Sequence, residues 1–189
     1  MSIAETIQNI GFLTDLRESA LIYPIVMATH LACIAVFGGM ILMTDLRLLG
    51  VTMTSRSVTD VVSQFRTWKR LGFCIMVTMG VLLGAAEAVK YTANPFFWAK
   101  MTCLVLVGVH AAIFRPSVYN NTAAIDKAPS LPGTAKAAGA LSLILWLSIL
   151  TFGRLIGYYE GPGSPGRPAA AAAHQTEIRT AGVAPTARP

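Results

Sequence analysis

Two histidines, His30 and His110, each lie inside an apolar stretch of the sequence. An ionisable residue within a bilayer is costly, and it is a functional hypothesis by default. Neutral imidazole binds iron well, so two histidines on parallel membrane helices could be the axial ligands of a b-type haem. Lys100 and Arg154 are expected at the same membrane face as His30, where they could pair with haem propionates. The pattern predicts haem b bound by these four residues, with His30 and His110 on the iron.

The depth of the two histidines weighs against this site. His30 lies two residues before the middle of its stretch and His110 about four after the middle of its own, an offset of about 9 Å at the α-helical rise. Alternatively, each imidazole hydrogen-bonds to a carbonyl or hydroxyl group of a neighbouring helix. A third possibility is metal binding or proton transfer involving Glu87, whose simpler role is an ion pair with Lys90.

Four apolar stretches must position these residues. Apolar residues form 54% of the 189-residue chain and charged residues 13%, and the mean hydropathy is +0.58. A bilayer core needs about 20 apolar residues per helix. The stretches are residues 20–44, 71–86, 101–114 and 137–153, and the third reaches spanning length if residues 95–99 begin its helix. The sequence predicts an all-α, up-down transmembrane four-helix bundle with spans one and three diagonally opposed.

The net charge of +6 follows from basic loops, and we do not expect nucleic acid to bind. Eight basic residues lie in the two loops after spans one and three, against four on the other side, which predicts that both termini are periplasmic. Asp45 and Arg47 are expected to pair with each other or with nearby basic-loop groups. The eight loop residues are Arg47, Arg56, Arg66, Lys69, Arg70, Arg115, Lys127 and Lys136.

Two amphipathic segments flank the first spans. Residues 2–18 are expected to form one surface helix, with Ser2 and Glu5 as a capping box, and residues 57–69 a second, capped by Ser57. Residues 161–189 are rich in Gly, Pro and Ala and are predicted to be disordered. The expected organisation is an N-terminal segment (1–19), a membrane domain (20–160) and a tail (161–189).

Small residues recur at helical spacing within the spans. Gly80 and Gly84 form a GxxxG motif in span two, and Gly153 and Gly157 repeat it near the end of span four. In lipid, such residues let helices approach closely. We therefore expect these stripes to be helix–helix contacts.

Several short motifs resemble a bacterial integral-membrane domain family of unknown function, over about residues 19–160. The general shape of that family is similar to copper-resistance D-type and b-type cytochrome four-helix membrane proteins. The resemblance implies a bacterial inner-membrane location and no established activity, and His30 matches the family pattern. The motifs are Gly38-Gly39, the run from Asp45 to Gly50, Tyr91, the run from Asn94 to Lys100, Ser142, Trp146, Gly153-Arg154 and Tyr158.

The leading functional hypothesis is a b-haem electron-transfer subunit or quinone-linked accessory protein. The alternatives are a non-redox structural or assembly subunit of a larger membrane complex, and a small transporter. The sequence contains no phosphate loop, nucleophile elbow or zinc-protease motif. We therefore do not expect a stand-alone enzyme, and the expected partners are the lipid bilayer and a larger membrane complex or redox partner.

Overall fold

The structure is a computed structural model that describes residues 2–159. The predicted disordered tail, residues 161–189, lies outside the described residues. All regular structure in the described range is helical. The helices are α1 (Ile3–Gln8), α2 (Gly11–Glu18), α3 (Ile22–Leu49), α4 (Val58–Ala86), α5 (Ala88–Thr92), α6 (Pro95–Phe114), α7 (Thr122–Lys127) and α8 (Gly133–Ile156), with a π-helical turn (Arg115–Tyr119) directly after α6.

Four of these helices are long and apolar enough to cross a membrane, which confirms the predicted fold class. They are α3, α4, α6 extended by the π-turn, and α8. Their outward faces expose large apolar side chains, as expected for helices surrounded by lipid, among them Leu31, Val36, Val81, Val105 and Leu147. The protein is therefore a multi-pass integral membrane protein.

The second span begins earlier than predicted. Ser57 caps it by accepting from the Asp60 amide at 2.9 Å, and the helix then runs without a break to Ala86. The prediction of a separate surface helix at 57–69 is wrong in this respect, because no helix-breaking residue separates the amphipathic turns from the apolar ones. The third span begins as predicted: Asn94 accepts from the Phe96 amide at 2.9 Å, and Pro95 occupies the first turn.

The N-terminal segment forms two short helices instead of the single helix predicted for residues 2–18. The capping box of Ser2 and Glu5 is present, but α1 ends at Gln8 and α2 starts at Gly11. The break turns Leu13 and Leu16 toward the bundle, where both are buried in a cluster with Ala86. This segment packs against the span ends instead of lying freely on the surface.

The long helices form an incomplete ring. Helix α3 packs against α4 and α8, and α6 packs against α8, whereas α4 and α6 hardly touch. Spans one and three, α3 and α6, are thus diagonally opposed, as expected. The missing contact leaves a gap between α4 and α6.

Close approach of α3 and α8 depends on Gly139. A Cβ atom built at this position would lie only 2.8 Å from the backbone oxygen of Asp45 and 3.2 Å from the Cβ of Leu48. The GxxxG glycines were expected to be helix–helix contacts, and this holds only in part. A Cβ at Gly80 would contact His30 of α3, whereas a Cβ at Gly84 would meet nothing within 4 Å. The tight helix crossing therefore occurs at a glycine outside the predicted stripes.

The end of the bundle that carries the basic loops has its own apolar cluster. Asp126, which follows the π-turn, accepts from the Val58 amide at 2.6 Å and the Thr59 amide at 3.0 Å, and so caps the start of α4. Burial opposes ionisation of Asp126, but these hydrogen bonds outweigh it and hold its pKa below the usual value. The cluster beneath this cap contains Leu48, Val58, Val62, Val118, Ile125, Ala135 and Ala138.

Candidate functional site

A cavity of about 410 Å³ lies between the four long helices, a size within the usual range of ligand sites. We call it the central cavity. Its polar residues come from the last turns of α3, the first half of α4, the end of α6 with its π-turn, and the first half of α8, so they share the membrane face of the basic loops. They are Thr44, Asp45, Lys69, His110, Tyr119 and Ser142.

Asp45 is the most buried of these groups, with 1% of its surface exposed. The Ser142 hydroxyl hydrogen-bonds to its carboxylate. The other carboxylate oxygen, Oδ2, accepts no hydrogen bond from any residue in the described part of the chain. A buried acceptor without a donor costs on the order of 1–3 kcal/mol, and more when it is charged. A residue that lines the cavity thus has a buried acceptor atom for which the described part of the chain supplies no donor.

Lys69 brings a cationic group to the same cavity from α4. Its Nζ donates to the Thr44 hydroxyl at 3.2 Å, and that hydroxyl in turn donates to the Met40 carbonyl at 2.8 Å. Lys69 and Asp45 act on each other electrostatically, but within residues 2–159 no direct ion pair joins them. A ligand could therefore contact both charges at once.

The other walls of the cavity are aromatic and aliphatic. The Phe37 ring meets the Trp146 ring edge-on at 5.3 Å and lies 5.9 Å from the Phe73 ring. These three rings line the cavity toward the middle of the bilayer. They give it a flat, apolar region next to the polar groups, which suits a ring with hydrogen-bonding substituents.

The cavity opens sideways between α4 and α6. Val77 on α4 and Gly108 and Ala111 on α6 line the cavity and are also exposed. Since these two helices hardly touch, the gap between them faces the acyl chains. A molecule dissolved in the bilayer could enter without crossing water.

His110 lines the central cavity and is 6% exposed. Its Nε2 donates to the Ala138 carbonyl at 3.0 Å, and its ring lies 4.8 Å from that of Phe114. This is the arrangement expected for a histidine hydrogen-bonded to a neighbouring helix. Its partner is a backbone carbonyl on α8.

His30 lies outside the set of residues that line the central cavity. Its Nδ1 donates to the Met76 carbonyl at 2.9 Å, and the ring fills the notch left by Gly80, where a Cβ would come within 3.0 Å of the imidazole Cε1. The absence of a side chain at Gly80 therefore makes room for the imidazole. His30 therefore also fits the alternative in which each imidazole hydrogen-bonds to a carbonyl or hydroxyl group of a neighbouring helix.

The two histidines lie at different depths. His110 bonds to Ala138, whose neighbour Gly139 abuts the Asp45 backbone, so His110 is close to the level of Asp45. From His30 to Asp45 is fifteen positions along α3, or about 22 Å at the α-helical rise. One iron needs both coordinating nitrogens within a few ångströms of each other. A single haem ligated by both histidines does not fit this arrangement.

The remaining predicted cofactor residues lie near the opposite face from the central cavity. Lys100 acts electrostatically on His30, and its side-chain stem passes 4.0 Å from the position of a Cβ on Gly153. Arg154 lies in the last turn of α8, and its side chain is exposed. The structure thus brings Lys100 near His30, as expected, but not near His110.

Glu87, the residue proposed for proton transfer, lies between α4 and α5. It acts electrostatically on Tyr23 and Tyr91, whose side chains hydrogen-bond to each other. Burial, reinforced by Tyr23 and Glu87, raises the pKa of Tyr91. Glu87 therefore belongs to a group at the N-terminal end of the first span, separate from the central cavity.

Comparison with known proteins identifies a family without giving a function. The model of a family of unknown function (DUF6644) matches residues 6–159. No curated protein and no solved structure matches the chain significantly. The expected resemblance to an uncharacterised membrane family is thus confirmed, whereas similarity to copper-resistance or cytochrome proteins stays a prediction. Within the described residues, no cluster of three or more His, Cys, Asp or Glu side chains could hold a metal ion.

Proposed function

The chain belongs to this family of unknown function, and we propose that it is a membrane-embedded binding protein for the headgroup of a lipid-soluble quinol. The observation that carries the proposal is the carboxylate of Asp45, a residue that lines the central cavity and whose buried Oδ2 accepts no hydrogen bond within residues 2–159. A quinol hydroxyl would supply the missing donor. The protein would thus act as a quinone-linked accessory subunit.

The shape of the central cavity supports a ring-containing ligand. Phe37, Phe73 and Trp146 provide aromatic surface on which a flat ring can pack, and such contacts contribute about 0.5–1.5 kcal/mol beyond burial. The volume of about 410 Å³ suits a headgroup, and the gap between α4 and α6 leaves room for an isoprenoid tail in the bilayer.

The polar groups support discrimination between the two redox forms. A quinol offers two hydroxyl donors, whereas a quinone offers only acceptors. When its carboxyl group is ionised, Asp45 favours the quinol because only a donor can satisfy Oδ2, while the Lys69 ammonium and the Tyr119 hydroxyl can donate to oxygens of either form. Reduced ligand is therefore expected to bind more tightly than oxidised ligand.

The test is calorimetric titration of the purified protein in lipid nanodiscs with a decyl-substituted quinol, and separately with its quinone. We expect saturable binding of the quinol, with the quinone at least about tenfold weaker, since a hydrogen bond to a charged group contributes about 1.5–3 kcal/mol. Asp45→Asn should lower quinol affinity by about the same factor. Asp60→Asn, an exposed carboxylate outside the cavity, is the matched control.

A second pair of variants tests the cavity without changing charge. Gly108 lines the cavity, and a Cβ there would meet nothing within 4 Å. Gly108→Leu should therefore occupy ligand space and reduce binding, whereas Val109→Leu, at an exposed position of the same helix that does not line the cavity, should not. Equal affinity of wild type, Asp45→Asn and Gly108→Leu would refute the proposal.

A b-type haem on His30 is a second candidate. Metal-ligating histidines commonly donate one ring N–H to a carbonyl, and the Nδ1 bond of His30 to Met76 leaves Nε2 as the ligand atom. Lys100 is near enough to pair with a propionate. A reduced-minus-oxidised spectrum of protein made with full haem supply, lost in His30→Ala, would support it; a colourless preparation would end it.

Failure of both tests would favour the other candidates. A non-redox structural or assembly subunit requires neither ligand and should instead copurify with a larger membrane complex. A small transporter should show pH- or ion-dependent flux in liposomes that Glu87→Gln abolishes.

We also propose a bacterial inner-membrane location with both termini in the periplasm. The excess of basic residues at the membrane face that carries the α3–α4 and α6–α8 connections supports this orientation, which would place the central cavity in the cytoplasmic leaflet. Labelling of single cysteines introduced at Ser55 and Ser2 with a membrane-impermeant reagent would test it: only the second should react in intact cells.

A further inference from the structure

A second, more open depression lies beside the central cavity, between α4 and the end of α6. It has a volume of about 490 Å³ and shares Lys69, Phe73, Ala111 and Tyr119 with the cavity. We call it the basic groove because four cationic side chains line it, and among the described residues no acidic side chain does. These are Arg66, Lys69 and Arg70 of α4 and Arg115 of the π-turn.

We propose that the basic groove binds the phosphate headgroup of an anionic phospholipid. The cationic side chains approach from two helices that hardly touch each other. Arg66 and Lys69 are near enough to act on each other electrostatically, and like charges brought together are unfavourable without an anion between them. Asp45 acts electrostatically on Lys69, so it offsets that charge, but within residues 2–159 no ion pair joins any of the three arginines to an acidic side chain.

The depth of the groove favours a lipid over a soluble anion. Arg70 directly precedes the apolar run that begins at Leu71, Arg66 lies one turn of helix earlier, and Arg115 directly follows the run that ends at Phe114. Both sets therefore lie where a bilayer changes from acyl chains to headgroups. Toward the acyl chains the groove is lined by Phe73 and Ala111, which could contact an acyl chain.

Membrane topology alone does not account for this grouping. The positive-inside rule depends on how many basic residues lie on one side of the membrane. It does not depend on whether those residues are close to one another. Arg56, Lys127 and Lys136 satisfy it equally, yet they do not line the groove. What topology leaves unexplained is that basic side chains from two separate chain segments converge on one depression.

The neutral donors in the groove fit the same ligand. Tyr119 and Asn120 line it together with the arginines, and a phosphate has more acceptor oxygens than one arginine can satisfy. Arginine side chains bind phosphate through paired N–H groups, which makes them well suited to this role.

The test is lipid retention by native mass spectrometry. Delipidated protein in neutral detergent is offered an equimolar mixture of short-chain phosphatidylglycerol and phosphatidylcholine. We expect one phosphatidylglycerol to be retained preferentially, with each groove arginine contributing about fivefold in affinity. The triple variant Arg66→Gln/Arg70→Gln/Arg115→Gln should lose the preference, and Arg115→Gln alone should reduce it about fivefold.

The matched control removes the same charge from the same membrane face. Arg56→Gln/Lys127→Gln/Lys136→Gln should keep the preference for phosphatidylglycerol. Equal loss in both triple variants, or an unchanged preference in the groove variants, would overturn the proposal. Displacement of the lipid by millimolar inorganic phosphate would also overturn it, because the groove would then be a site for a free anion. Helix content by circular dichroism verifies that each variant is folded.

Discussion

Substitution of Gly139 by alanine tests the helix crossing that shapes the central cavity. The added Cβ would lie 2.8 Å from the Asp45 backbone oxygen. Carbon–oxygen contacts normally lie at about 3.3–3.6 Å, so α8 must move away from α3 by about 0.5 Å. Neither neighbour can yield by a side-chain rotation, because one contact is with backbone and the other is with the Cβ of Leu48.

The expected cost of Gly139→Ala combines two effects. Overpacking of a close contact costs about 1–3 kcal/mol. The displacement also lengthens the hydrogen bond from Ser142, one turn further along α8, to the buried Asp45 carboxylate. We expect a net loss near 2 kcal/mol, which corresponds to a fall of about 4–8 °C in melting temperature for a chain of this length.

The assay is the fraction of monodisperse protein that survives heating in detergent, followed by size-exclusion chromatography. Gly84→Ala is the control, because a Cβ at Gly84 meets nothing within 4 Å and alanine favours the helix by up to about 1 kcal/mol. It should be neutral or slightly stabilising. If Gly139→Ala melts at the same temperature as Gly84→Ala, the close α3–α8 approach is wrong.

Two further substitutions test the caps of the spans. Asp126→Ala should cost about 1 kcal/mol, because the start of α4 loses the acceptor of the Val58 and Thr59 amides. Folding lowers the pKa of Asp126, so its carboxylate should contribute fully to stability above about pH 4, near the pKa of an unfolded Asp. That contribution should disappear as the pH falls through the lower pKa of the folded state, and the melting temperatures of wild type and variant should therefore converge in acid. Asn94→Ala should cost about 2 kcal/mol in the same melts, because Asn94 is 2% exposed and bonds both the start of α6 and the Ile156 carbonyl.

The membrane fold could be predicted from hydropathy because the requirement for spanning length is stringent. The diagonal placement of α3 and α6 followed from short connections, and the start of α6 within residues 95–99 followed from the length that a membrane span requires. The start of α4 could not be placed as well, because residues 57–69 and the apolar run after them have the same helical period. Amphipathicity shows which face is polar but does not show whether the helix ends.

The candidate site was harder to predict. Asp45 was expected to pair with Arg47 or with nearby basic-loop groups. In the structure, Arg47 Nε donates to the Arg56 carbonyl at 2.8 Å. Asp45 bonds to Ser142, which was not foreseen, and interacts electrostatically with Lys69, which is one of the basic-loop groups. Sequence spacing cannot show which residues of α8 face the end of α3. The signal that could have been used was the cost of a carboxylate near the end of an apolar run.

The depth of the histidines was misjudged because the middle of an apolar stretch is a poor guide to depth. Helix α3 extends to Leu49 and α6 begins at Pro95, so both helices are longer than their apolar runs. The expected offset in depth between His30 and His110 was about 9 Å. In the structure it is about 22 Å along the helix, because the contact of Gly139 with Asp45 places His110 near the level of Asp45. Such cross-helix levels depend on tertiary contacts.

The most direct measurement is an electron-microscopy structure of the protein in lipid nanodiscs saturated with quinol. The proposal predicts density for a ring against the aromatic wall of the central cavity, with an oxygen within hydrogen-bonding distance of Asp45 Oδ2. A closed cavity in which the Lys69 ammonium contacts the Asp45 carboxylate directly would contradict it, since the acceptor would then have its donor from the protein itself.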